Sequence, residues 1–226
     1  MTLLPDYMDF YYNVVGGRAT QTQPYEIHLT IACDESELDR FKESCAIVGV
    51  KPLLVQLGEG KVMRDVMTSS SGTYGPMSIY HYTNGLIEHF RDEFCFNVIR
   101  AKIETAPWHP MAMRPVDEMD PSQYFESHIP VKVTAQTDLQ ALKEICVAED
   151  MHLSSNAFKV NDAFRTIMIT YRSTRYNYEE FPCVVKNKCM LLTKQGFDIE
   201  EPEVEYAIYD SNRMHDSKWL NLHTSD

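Results

Sequence analysis

Two imidazoles occupy matching places in a chain that reads as one structural unit written twice. His28 lies in Tyr25-Glu26-Ile27-His28-Leu29-Thr30-Ile31, and His128 in Tyr124-Phe125-Glu126-Ser127-His128-Ile129-Pro130-Val131. Each stretch is followed by a helix-like segment, Leu38 to Cys45 in the first copy and Leu139 to Cys146 in the second. The histidines stand 100 residues apart and these cysteines 101, so one inserted residue aligns Glu, His, Lys-Glu and Cys together. Two imidazoles with an ordinary pKa of about 6.5 can hold one proton between them at neutral pH, and each positioned proton transfer contributes roughly 10²–10⁴-fold to a rate. Duplicated units pack about a pseudo-twofold axis, which lets equivalent side chains face one another across a shared cleft. That geometry suits paired acid and base work.

The elements that must position these residues follow from periodicity. Glu26, His28 and Thr30 alternate with Ile27, Leu29 and Ile31, the period of a half-buried strand. Asp34 is placed to cap a helix carrying Leu38, Phe41, Cys45 and Val48 on one face, and Gly49 to end it. Strands follow at 51–57 and 61–67, a Ser/Gly-rich loop at Thr68–Pro76, a helix at 79–94 and a strand at 97–105. The second copy repeats the order, with strands at 124–134, 151–155, 163–172 and 203–209 and helices at 137–149 and 176–195. Strand, helix, strand, strand, helix, strand is the ferredoxin-like pattern, an antiparallel sheet with both helices on one face. The expected fold class is α+β: two tandem ferredoxin-like (βαββαβ) units with pseudo-twofold symmetry, packed into a bilobed domain. The expected divisions are an N-terminal arm at 1–23, the first unit at 24–106, a Pro-rich linker at 107–123, the second unit at 124–209 and a tail at 210–226.

If the apolar residues of each first strand face the helices, then Glu26, His28 and Thr30, and likewise Glu126, His128, Pro130 and Lys132, point to the bare sheet face. Arg100 and Lys102 then lie beside the Glu26–His28 row, and Thr166, Thr170 and Arg172 play that part in the second unit. The run His28-Leu29-Thr30-Ile31 matches His-apolar-Thr/Ser-apolar, and here the chain resembles the two-histidine phosphoesterases, the superfamily of RNA ligase-like and cyclic phosphodiesterase enzymes. The resemblance implies a metal-independent phosphodiesterase acting on a cyclic or 2′-5′-linked nucleotide. In that reading His28 and either His128 or His152 serve as base and acid, and Thr30, Ser154, Lys102 and Arg172 hold the phosphate. The second motif departs from the pattern, because Pro130 stands where the hydroxyl belongs; His152-Leu153-Ser154-Ser155 has the hydroxyl but breaks the repeat. The alternative is a non-catalytic duplicated ferredoxin-like protein that binds a small ligand or a partner protein.

The two Glu-x-His pairs could also supply a two-His, two-carboxylate ligand set, like the sites of vicinal-oxygen-chelate enzymes, but the strand order there differs from the βαββαβ order. No metal and no cofactor are expected. The loop Thr68–Gly72 and the stretch Ser154-Ser155-Asn156 with Lys159 read as solvated connections rather than phosphate cradles, since neither has the Gly-Lys-Ser/Thr of a Walker motif. With 21 Lys and Arg against 33 Asp and Glu, a net charge of −12 repels a polyanion, so double-stranded nucleic acid is excluded as a partner. A small nucleotide or other phosphate-containing ligand in a locally basic pocket remains compatible with that charge. The six cysteines include no Cys-x-x-Cys and read as reduced thiols of a cytoplasmic protein. No secretory signal and no run of about 18 apolar residues is visible, so no membrane association is expected.

Overall fold

The computed structural model describes residues 2–17, 21–57, 64–156 and 165–218. The N-terminal arm is ordered there: α1 (Tyr7–Asp9) runs into a wide π-turn (Phe10–Val14). It buries Phe10, whose ring packs on Tyr80 and Tyr209. In β1 (Gln23–Ala32), Ile27, Leu29 and Ile31 are buried on one face and Glu26, His28 and Thr30 take the other. Asp34 and Glu37 cap one another's backbone amides ahead of α2 (Leu38–Val48). The helix stops at Gly49, whose φ of 73° is the left-handed conformation that penalises a Cβ. Then follow β2 (Lys51–Leu57), β3 (Arg64–Tyr74), α3 (Pro76–Glu88) and β4 (Asn97–Thr105). The second half holds β5 (Tyr124–Val133), α4 (Leu139–Ala148), β6 (His152–Asn156), β7 (Arg165–Ser173), α5 (Glu180–Lys194), the short β8 (Asp198–Ile199) and β9 (Glu203–Asp210).

Thr68–Gly72 is not a loop but the middle of β3. Its hydroxyls find partners that composition alone does not reveal. Thr68 Oγ1 accepts from the Leu29 amide at 3.1 Å, Ser69 Oγ donates to Glu26 at 2.6 Å, and Ser70 Oγ pairs with the Tyr82 hydroxyl at 2.6 Å. Neighbouring strands and helices thus override weak local strand preference. Lys159, grouped above with Ser154-Ser155-Asn156, lies outside the described residues.

The larger correction concerns how the halves combine. They do not pack as two lobes. β4 pairs with β9 (Lys102 opposite Asp210, Thr105 opposite Tyr206), and β2 pairs with β6 (Val55 opposite Asn156, Leu57 opposite Ser154). Eight antiparallel strands therefore close into one barrel in the order β1-β4-β9-β5-β7-β6-β2-β3, with β8 extending beside β5. The physical reason is the sheet edge. A four-stranded unit standing alone leaves two rows of unpaired backbone N–H and C=O groups, and joining edge to edge satisfies both. The helices wrap the outside. Phe41 of α2 packs with Phe90 and Phe96, and Phe181 of α5 stacks on Phe125 of β5 and Tyr171 of β7 at 5.4 and 5.6 Å.

The Pro-rich segment between the halves is also built into the barrel wall. His109 is fully buried, and the Met111 amide donates to its Nδ1 at 3.1 Å. The Nε2–H must then donate to the Tyr25 hydroxyl oxygen, 3.1 Å away on β1. Trp108 beside it is exposed.

Candidate functional site

Closure turns the two polar sheet faces into the lining of one lumen. An eight-stranded barrel is just wide enough for its inward side chains to fill it, and here that filling is charged. Register and alternation bring together Glu26 and His28 from β1, Arg100, Lys102 and Glu104 from β4, Glu205 and Asp210 from β9, Tyr124, Glu126 and His128 from β5, and Arg172 from β7.

Three carboxylates are matched by fixed cations. Arg100 grips Asp210 through two nitrogens, Nε at 2.8 Å, and the Tyr124 hydroxyl donates to the same carboxylate at 2.8 Å. Arg172 does the same for Glu126, with Nε at 2.8 Å and a second nitrogen at 2.6 Å. Lys102 Nζ sits 2.8 Å from Glu104 and 3.4 Å from Glu126. Burial would push these carboxyls up, but the neighbouring cations win: Asp210 is lowered, Glu126 is lowered to about 2, and Glu104 is held well below the usual carboxylate range by Lys102 and His28. Burial likewise works against the charge of Lys102, and Glu104 and Glu126 more than restore it.

Glu26 and Glu205 differ. Among the described residues their ion-pair partners are imidazoles alone. His28 Nε2 lies 3.4 Å from Glu26 and 3.1 Å from Glu104; His128 Nε2 lies 3.3 Å from Glu126 and 3.6 Å from Glu205. His28 Nδ1 faces the Thr68 carbonyl at 3.1 Å, which can only accept, so Nδ1 carries the hydrogen. A neutral His28 therefore aims a bare Nε2 lone pair at two carboxylates, a repulsive arrangement unless a proton or a cation lies between them. Burial, followed by the charge of Glu104, pushes the Glu205 carboxyl up to about 10. The cluster grades from closed to open: the Glu104 side chain is fully buried, and those of His128 and Glu26 are 26% and 28% exposed.

The structure gathers four of the seven residues singled out from sequence around one centre: His28, His128, Lys102 and Arg172. Thr30 is deeply buried, opposite Arg100 rather than among the carboxylates, and its hydroxyl has no hydrogen-bond partner among the described residues. His152 and Ser154 sit on β6, one strand beyond; His152 is level with Thr170, whose hydroxyl meets His128 Nδ1 at 3.2 Å, and Ser154 is level with Met168. Sequence reasoning missed Glu104, Glu205, Asp210 and Tyr124. A signal existed for the first two, since Glu104 and Glu205 stand 101 residues apart, the same offset as Cys45 and Cys146. A groove of about 390 Å³ between α2 and α3, lined by Ile47, His81, Tyr82, Leu86 and His89, lies on the outer helix layer and shares no residue with the lumen.

The chain matches no known protein-family profile, and it matches none of the curated proteins in sequence. Solved structures similar to it include the acetolactate synthase small subunit from Thermotoga maritima, with a TM-score of 0.29 and 12% identity over 80% of this chain and 92% of that one. A mutant chlorite dismutase from Candidatus Nitrospira defluvii gives 0.29 and 11% over 90% and 95%, and a heme-binding protein from Thermus thermophilus gives 0.24 and 10% over 81% and 90%. At these scores the likeness carries no argument about function. No helix among the described residues is long and apolar enough to cross a membrane.

Proposed function

We propose that the chain is a small-ligand-binding barrel without phosphodiesterase activity, and that the ligand its lumen takes is a cation. The observation that carries this reading is the count of charges at the centre. With Asp210, Glu126 and Glu104 matched by Arg100, Arg172 and Lys102, the Glu26 and Glu205 carboxylates are left facing two imidazoles. A cation entering there displaces the proton that burial holds on Glu205, and the enclosed carboxylates then attract it far more strongly than the same charges would in water. The same count speaks against a phosphate. Lys102 and Arg172, the cations that would have to hold it, are spent on Glu104 and Glu126, and a phosphodiester would enter among carboxylates it repels. Closure also removes the bare sheet faces as docking surfaces for a protein.

Thermal unfolding in the presence of zinc chloride, spermidine, inorganic phosphate and 2′,3′-cyclic AMP tests this. A ligand that binds only the folded state raises its stability by about 2.7 kcal/mol at a hundredfold excess over Kd. Stabilisation by a cation, none by either phosphate compound and no turnover of the cyclic nucleotide are expected. Hydrolysis of the cyclic nucleotide that disappears in His28→Ala would overturn the reading.

A further inference from the structure

We infer that the cation is a divalent transition-metal ion of the zinc, manganese or iron(II) class, held by Glu104, His128 and Glu205. This inference rests on the proposed cation-binding function and narrows it. Each of the three residues presents one ligand atom, and these atoms all lie within 4.8 Å of one another. Ligands at about 2.0–2.2 Å around one ion stand about 3.0–3.6 Å apart, so the side chains draw together by about 1 Å, within the reach of rotamer adjustment, to complete the set.

Three independent features point to an ion rather than to a mere acidic cluster. Glu104 is completely buried and Lys102 lies 2.8 Å from one of its oxygens, which leaves the other, 3.1 Å from His28 Nε2, as the one that faces a further ligand. A fully buried carboxylate is stable only when its oxygens are matched in this way. His128, the nitrogen ligand, is prepared in the manner of metal-site histidines: its Nδ1 meets the Thr170 hydroxyl at 3.2 Å, which fixes the ring and leaves Nε2 aimed inward, 3.6 Å from Glu205. The third feature is the duplication. Glu104 and Glu205 are repeat equivalents, as are His28 and His128, so the candidate ligands straddle the pseudo-twofold relation between the halves, and neither half alone contains the set.

The donor chemistry chooses the ion. An imidazole nitrogen disfavours calcium and magnesium, which take oxygen ligands, and the lack of thiolate disfavours copper(I). One nitrogen and two carboxylates, with water completing the shell on the side opened by Glu26 and His128, suit zinc, manganese or iron(II). Lys102 stays on one Glu104 oxygen and prevents the cluster from carrying more negative charge than one divalent ion offsets.

The test uses the full-length, untagged protein stripped with a chelator and titrated calorimetrically with zinc chloride, and with calcium chloride for contrast. Saturation at one zinc per chain and no comparable calcium binding are expected. Glu205→Gln, which keeps shape and removes the charge, and His128→Ala should each weaken zinc by more than the about 10- to 100-fold typical of losing an outer hydrogen-bond partner. His28→Ala should fall within that range, with circular dichroism unchanged in each variant. Cobalt(II) loaded in place of zinc reports the nitrogen ligand through its visible spectrum, which His128→Ala should alter. Absence of saturable zinc binding, or zinc binding untouched by Glu205→Gln, overturns the assignment. If spermidine stabilises the protein and zinc does not bind, the metal inference fails while the cation-binding function stands; if no cation binds, both fail.

Discussion

Acidification should strain the molecule first at His109. The imidazole is fully buried, and burial lowers its pKa from 6.5 to about 4. Its ring nitrogens are committed, Nδ1 accepting from the Met111 amide and Nε2–H donating to Tyr25, so a second proton would land on the atom that now accepts. The depressed value means that the unfolded chain binds a proton more readily than the folded one. The contribution is therefore complete above about pH 6.5, is lost as pH falls, and levels off below about pH 4. The full difference is worth about 3 kcal/mol at about 1.4 kcal/mol per pH unit, and between about pH 7.5 and pH 5 the loss is about 2 kcal/mol. The assay is denaturant unfolding at those two pH values for the wild type and for His109→Asn, whose side-chain carbonyl can still accept from Met111 but cannot become charged. The variant loses the Tyr25 hydrogen bond and some packing, so it should be about 1–2 kcal/mol less stable at the higher pH. Its stability should then fall about 2 kcal/mol less than that of the wild type on acidification. Parallel profiles for the two proteins would refute the reasoning, because they would show that His109 takes up its proton at the same pH in both states.

Two further perturbations probe the barrel. Lys102→Met removes the ammonium shared by Glu104 and Glu126 and should cost about 3–5 kcal/mol in denaturant unfolding near neutral pH, the range for breaking a buried pair from one side; a variant as stable as the wild type would mean that the lumen is far more hydrated than its burial indicates. Gly49→Ala forces a Cβ into a φ of 73° with nothing within 4 Å to clash, so a backbone cost of about 1 kcal/mol with unchanged zinc binding is expected from unfolding and calorimetry.

The local elements were legible because their causes are local. Alternation in 25–33 separated the buried Ile27, Leu29 and Ile31 from Glu26, His28 and Thr30, and Asp34 and Gly49 marked the ends of a helix by capping chemistry. The Ser-rich middle of β3 was not legible, because its strand character comes from Leu29, Glu26 and Tyr82 on other elements. The candidate site was half visible. The strand faces of His28, His128, Lys102 and Arg172 follow from alternation; that Arg172 lies across from Glu126, and that Glu205 joins them from β9, follows only from the pairing of the strands.

What the sequence determined by itself was the duplication and the face on which each polar side chain stands, since strand periodicity requires no knowledge of the partner strand. What only the tertiary structure decided was what those faces meet. Pairing β4 with β9 and β2 with β6 joins residues roughly a hundred positions apart, and no local preference encodes which edge seeks which. Once the edges joined, two sheet faces that would each have been solvated became one enclosed lumen. Low dielectric and mutual proximity then turned separate histidines and carboxylates into a single interacting set.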